Sequence, residues 1–117
     1  MRLTKNFTST EFECLCCKRS EMDIDFVKLL QKARTKAKIP FRINSGFRCV
    51  KHNTTVGGVP TSSHLRGLAA DISCRDSNKR YKIVKALQAA GIVRIKVTAT
   101  FLHVDNNKGK RHPILWM

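Results

Sequence analysis

Between Asp23 and about Lys38 apolar residues recur every three to four positions. Phe26, Leu29, Leu30, Ala33 and Ala37 fall at i, i+3, i+4, i+7 and i+11. A helix with 3.6 residues per turn gathers those positions on one side, so the segment reads as an amphipathic helix. Asp23 and Asp25 at its start and lysines at its end suit the helix dipole, and Pro40 closes it. A second stripe, Ile83, Leu87 and Ala90, predicts a helix from about Lys79 to Ala90, with Asn78 as its cap and Gly91 as its stop. The run TSTE at 8–11 has the form of a capping box and predicts a short helix near Ser9 to Glu13.

Elsewhere the pattern is that of strands and turns. FRINSGFR (41–48) predicts a short strand running into a Ser-Gly turn, and GLAADIS (67–73) a buried strand. IVRIKV (92–97) mixes apolar and basic residues as a half-buried strand does, and TFLHVD (100–105) is a further strand. KHNTTVGGVPTSS (51–63) is rich in turn formers and predicts a long loop. The order helix, strand, loop, strand, helix, strand, strand predicts an α+β fold: a small, mostly antiparallel sheet with flanking helices. No repeat or linker divides the chain, so residues 1–117 are expected to form one domain.

Composition adds a constraint on partners. With 42% hydrophobic residues the chain is globular, and no apolar run approaches the ~18 residues of a membrane span. A net charge of +15 favours a polyanionic partner, either nucleic acid or an anionic bacterial cell wall. The basic residues are scattered, aromatics reach only 7%, and no DNA- or RNA-recognition signature accompanies them, which disfavours nucleic acid. MRLTKNFTSTEFECLCC lacks the apolar core of a signal peptide, so accumulation in the cytoplasm is expected, with release to the wall depending on a separate factor. Five cysteines, an odd number, argue against a full disulfide framework. The cluster Cys14, Cys16 and Cys17 lacks the paired spacing of a zinc ribbon. Cys49 or Cys74 could complete a structural metal site or a bridge with it; free thiols are the plainer alternative.

Three residues carry candidate chemistry. His64, Asp71 and His103 supply two imidazoles and one carboxylate, a set that catalytic zinc sites use while leaving one position for water. Gly67 lets the backbone turn between His64 and Asp71, and Ala69 and Ala70 leave space beside them. In an alternating strand His103 and Asp105 share one face, so both could enter a cleft. Taken singly, a histidine amid apolar neighbours is more often a hydrogen-bonded core residue, and Asp71 could cap a turn.

The motif Ser62-x-His64-x-x-Gly67-x-Ala69-x-Asp71 resembles the signature of the zinc D-Ala-D-Ala carboxypeptidase family, which includes phage endolysins and whose fold is shared by the hedgehog signalling domain. INSGFR, containing Arg48, is similar to the family's Ser-Gly-Tyr/Phe-Arg segment. NTTVGGVPTSSH is similar to its Asn-x-x-x-Gly-Gly loop, and TFLHVD to its closing histidine strand. The F-x-C-x-C-C run resembles small phage-type members. The likeness extends from about Phe12 to Asp105.

This resemblance implies one zinc ion held by His64, Asp71 and His103, with Arg48 facing the substrate or its developing oxyanion and Ser62 orienting the loop or a ligand. It implies hydrolysis of peptide bonds in peptidoglycan stem peptides, by a carboxypeptidase or endopeptidase; separately, the chain is expected to be a monomer. One position departs from the pattern. Many members carry an acid three residues before the last histidine ligand, and Thr100 stands there. Asp105 is the substitute candidate for general base; alternatively it orients His103. A zinc-containing module that only binds the wall or forms part of a virion is a further alternative, and a basic nucleic-acid-binding protein a third.

Overall fold

The computed structural model describes residues 1–117. It is an α+β fold built in two layers. Three segments follow the predicted helices closely. The first helix, α1 (Ile24–Ala37), begins where the Asp23 side chain accepts the Phe26 N–H at 3.0 Å and ends at Lys38, which adopts a left-handed conformation. It buries Phe26, Val27, Leu30 and Ala33. The third helix in chain order, α3 (Ser77–Ala90), ends at Gly91 as expected. Its cap is Asp76 rather than Asn78: the Asp76 carboxylate accepts the N–H groups of Asn78 and Lys79 at 2.7 and 3.1 Å. A carboxylate facing the helix N-terminus satisfies two orphan donors and complements the positive end of the dipole, which Asn78, two residues further in and itself one of the donors, cannot do. The TSTE run forms a 3₁₀ turn (Ser9–Phe12), with Glu11 accepting the Thr8 N–H at 2.7 Å.

The sheet has five strands in the order β1-β2-β4-β3-β5, where β1 is Ile43–Ser45, β2 Ala69–Ser73, β3 Arg94–Val97, β4 Phe101–Asp105 and β5 Ile114–Trp116. All neighbours pair antiparallel except β3 and β5, which run parallel. Alternation divides the side chains. Ala70, Ile72, Ile95, Leu102 and Val104 enter the core beneath α1 and α3. Asp71, His103, Asp105, Arg94 and Lys96 go to the opposite face.

Two elements depart from the expected order. Residues 51–63 are not loop throughout, because α2 (Val50–Thr55) occupies their first part. Its cap is a cysteine: the Cys49 sulfur accepts the His52 N–H at 3.4 Å. The last strand, β5, follows a cis His112–Pro113 bond and lies along the edge of β3.

One glycine decides how the site loop joins the core. Gly67 has φ 67°, and a Cβ there would come within 2.1 Å of the Glu21 carbonyl oxygen. Its own carbonyl accepts the Asp23 N–H at 3.0 Å. The chain after His64 therefore turns directly against the start of α1, and only glycine fits.

Candidate metal centre

His64 lies on a 3₁₀ turn (Ser63–Arg66) and is 2% exposed. The Ser62 hydroxyl starts that turn by accepting the His64 N–H at 3.2 Å. The ring Nδ1 stands 2.7 Å from the Gly46 carbonyl oxygen. A carbonyl only accepts, so Nδ1 donates to it, and this contact turns Nε2 toward the cleft. That Nε2 is 3.3 Å from Asp71 Oδ1.

Asp71 on β2 and His103 on β4 face each other across the strand pair. His103 Nδ1 is 3.0 Å from Asp71 Oδ1, and its Nε2 is 2.8 Å from Asp105 Oδ2. Two imidazole nitrogens and one carboxylate oxygen thus converge within 4.8 Å of one another. Each ring is held from behind, His64 by a backbone carbonyl and His103 by a carboxylate. Such outer partners fix the tautomer and the direction of a metal-ligating histidine. The donor set and its orientation fit a zinc ion with His64 Nε2, Asp71 Oδ1 and His103 Nδ1 as ligands.

The charges are tightly coupled. Burial works to raise the Asp71 carboxyl, but the His103 and His64 rings bonded to it hold it far below the usual carboxylate range. Burial opposes a charged His103, but Asp105 and Asp71 outweigh it and raise that imidazole. Burial likewise works to raise Asp105, which His103, the Asn107 N–H and Arg94 together hold below its ordinary value. Protons and metal compete for the same nitrogens here.

Asp105 shares the face of His103 but does not open into solvent. It is 1% exposed. Arg94 Nε stands 2.9 Å from its Oδ1, which also accepts the Asn107 N–H at 3.1 Å. Asn107 in turn donates to the Ser63 hydroxyl at 3.2 Å, joining the end of β4 to the His64 turn.

Arg48 reaches the centre from the other side. Its Nε donates to Ser45 Oγ and its Nη1 to Asn53 Oδ1, both at 3.3 Å, and Nη2 lies 3.6 Å from Asp71 Oδ2. Asn53 belongs to α2 and donates to the Val59 carbonyl at 2.9 Å. A Cβ on Gly58 would come within 2.1 Å of the Asn53 oxygen, which accounts for glycine in that loop. Thr100 lies in the turn before β4, its carbonyl accepting the Cys74 N–H at 3.0 Å, and it does not line the cleft.

The cleft has a volume of about 450 Å³. Besides the expected residues it is lined by Arg94, Lys96, Lys110 and Trp116. The Arg94 guanidinium lies 4.8 Å over the Trp116 ring, whose centroid is 6.1 Å from that of His103. Arg94 and Lys96 read in sequence as the solvated face of a strand. Only the cross-strand register brings them to the site, since Arg94 pairs with Asp105 and Lys96 with His103.

A cationic cleft with a carboxylate and two oriented imidazoles at its floor, on a helix-backed antiparallel sheet, is the arrangement of a metallohydrolase. The chain belongs to the Peptidase M15 family, whose sequence model matches residues 5–105. That family consists of zinc-dependent peptidases. No curated protein gives a significant match to the chain.

Proposed function

We propose that this chain is a single peptidase domain, residues 1–117, that hydrolyses peptide bonds in peptidoglycan stem peptides with one zinc ion held by His64, Asp71 and His103. The observation that carries the proposal is the convergence of His64 Nε2 and His103 Nδ1 on Asp71 Oδ1, with each ring's other nitrogen already engaged. When bound, zinc supplies Lewis-acid polarisation of the scissile carbonyl and lowers the pKa of water. Arg48 stabilises charge on the carbonyl oxygen or holds a substrate carboxylate, and its contacts to Ser45 and Asn53 keep the guanidinium oriented. Ser62 fixes the turn that carries His64.

For Asp105 we propose the orienting role rather than that of general base. Both its oxygens are engaged, and a group this enclosed does not reach a substrate proton. The substrate class is supported by charge. Arg48, Arg94, Lys96 and Lys110 line the cleft against only two carboxylates, Asp71 and Asp105. That balance suits peptides rich in carboxylates, as stem peptides are.

A second reading has a specific observation in its favour. No carboxylate besides Asp71 and Asp105 lines the cleft, and Thr100 is outside it. A zinc-holding module that binds the wall without cutting it would need no proton acceptor. Incubation of the protein with purified peptidoglycan, with and without a chelator, separates the two. Peptidase action gives new amino groups that vanish in chelator and in His64→Ala. Stoichiometric zinc without release of amino groups supports the binding module.

A further inference from the structure

A second cluster of metal-ligating side chains lies outside the cleft. Cys14, Cys17 and Cys49 bring their sulfurs within 4.8 Å of one another, and Cys16 adds a fourth thiol beside Cys49. We propose that these cysteines form a second, structural site for a thiophilic divalent cation such as zinc, with Cys14, Cys17 and Cys49 as ligands and Cys16 able to complete the tetrahedron.

Spacing favours a metal over a bridge. The sulfurs of Cys14 and Cys49 are 3.6 Å apart. Two thiolates of a tetrahedral zinc site, each ~2.3 Å from the ion, stand about 3.8 Å apart. A disulfide needs them at about 2.0 Å. Cys14 and Cys17 form a C-x-x-C pair in a tight loop, closed by Cys14 N–H to Arg19 carbonyl at 2.7 Å and Lys18 N–H to Cys14 carbonyl at 2.8 Å. The third sulfur comes from 32 positions further along the chain, and of the two candidates in the sequence, Cys49 and Cys74, it is Cys49 that lies beside the cluster.

Backbone donors gather on two of these sulfurs. The Cys14 sulfur accepts the Cys49 N–H at 3.5 Å, and the Cys49 sulfur accepts the His52 N–H at 3.4 Å. Burial works to raise the Cys14 thiol, yet backbone N–H groups of Cys49, Cys17 and Cys16 hold it lowered to about 6. Lys51 adds positive charge nearby. Each thiol that ligates gives its proton to solvent, so assembly needs no oxidant or reductant. Because Cys49 directly follows Arg48, the ion would staple the N-terminal segment to the chain that aims Arg48 into the cleft.

The test uses a chain in which the catalytic ligands are removed, so its outcome is independent of peptidase activity. His64→Ala/His103→Ala protein, kept reduced, is titrated with Co²⁺. The expected result is one cobalt per chain with intense thiolate-to-cobalt charge transfer in the near ultraviolet, and a thermal midpoint that falls when chelator is added. Adding Cys17→Ser weakens binding at least tenfold; that sulfur is exposed, so the variant keeps its fold even where the buried Cys14→Ser does not. Absence of cobalt binding, or binding without thiolate charge transfer, overturns the proposal.

Discussion

In the proposed metal centre, Asp105 is a buried carboxylate that acts on a ligand and not on the metal itself. It holds the far side of the His103 ring and is itself held by Arg94 and Asn107. Removing such a partner costs a metal site about 10–100-fold in affinity or activity. Asp105→Ala is therefore expected to loosen zinc by about that factor, measured by competition with a chromophoric chelator. Unchanged affinity with abolished turnover would instead mark Asp105 as the proton acceptor. A pH effect follows from the same contacts. His103 is raised above its ordinary value of 6.5. In metal-free protein its contribution to stability is complete below 6.5 and is lost as pH rises through the raised value. Asp71 and Asp105, both lowered from 3.8, contribute above that value and lose the contribution as pH falls through their depressed ones. Metal-free protein should thus be most stable between these limits, which thermal unfolding in chelator across pH will show. Zinc affinity should decline on acidification from above pH 6.5, because a proton held on His103 blocks a ligand. The proposed ligands could be read in the sequence because their motif carries its own spacing. Arg94 could not, since its meaning arises only when β3 lies beside β4.

At the scale of elements, the critical joint is the one between the His64 turn and α1. Gly67→Ala brings a Cβ against the Glu21 carbonyl at a positive φ. The expected cost is about 3 kcal/mol or more in urea denaturation, together with weakened zinc binding as the turn shifts. Wild-type stability in this variant would mean that the joint can relax. The long helices were legible because their stripes are sustained over 14 residues each. The six-residue α2 was not. It has no apolar stripe, it ends in two β-branched threonines before Gly57 and Gly58, and its cap is a cysteine rather than a hydroxyl or carboxylate residue. The edge strand β5 was hidden for a different reason. It has only three residues after a proline, too few to display a period, and its pairing with β3 is fixed by tertiary contact.

Across the whole molecule, α1 and α3 lie on one face of the sheet and the site on the other, and no helix is long and apolar enough to cross a membrane. The net charge of +15 acts at this scale. Attraction between exposed charges is screened beyond about 10 Å at 0.1 M salt. If the wall is the partner, co-sedimentation of His64→Ala protein with peptidoglycan carrying anionic polymers should fall steeply with added salt. Binding that persists at high salt would place recognition in the cleft instead of in the overall field. The most direct test is mass spectrometry of purified peptidoglycan after digestion by zinc-loaded protein. Hydrolysis of a stem-peptide bond yields fragments each bearing the mass of a cleaved peptide, absent with chelator and absent with His64→Ala. Intact stem peptides after incubation with protein that demonstrably holds zinc at His64, Asp71 and His103 would contradict peptidoglycan cleavage by this site.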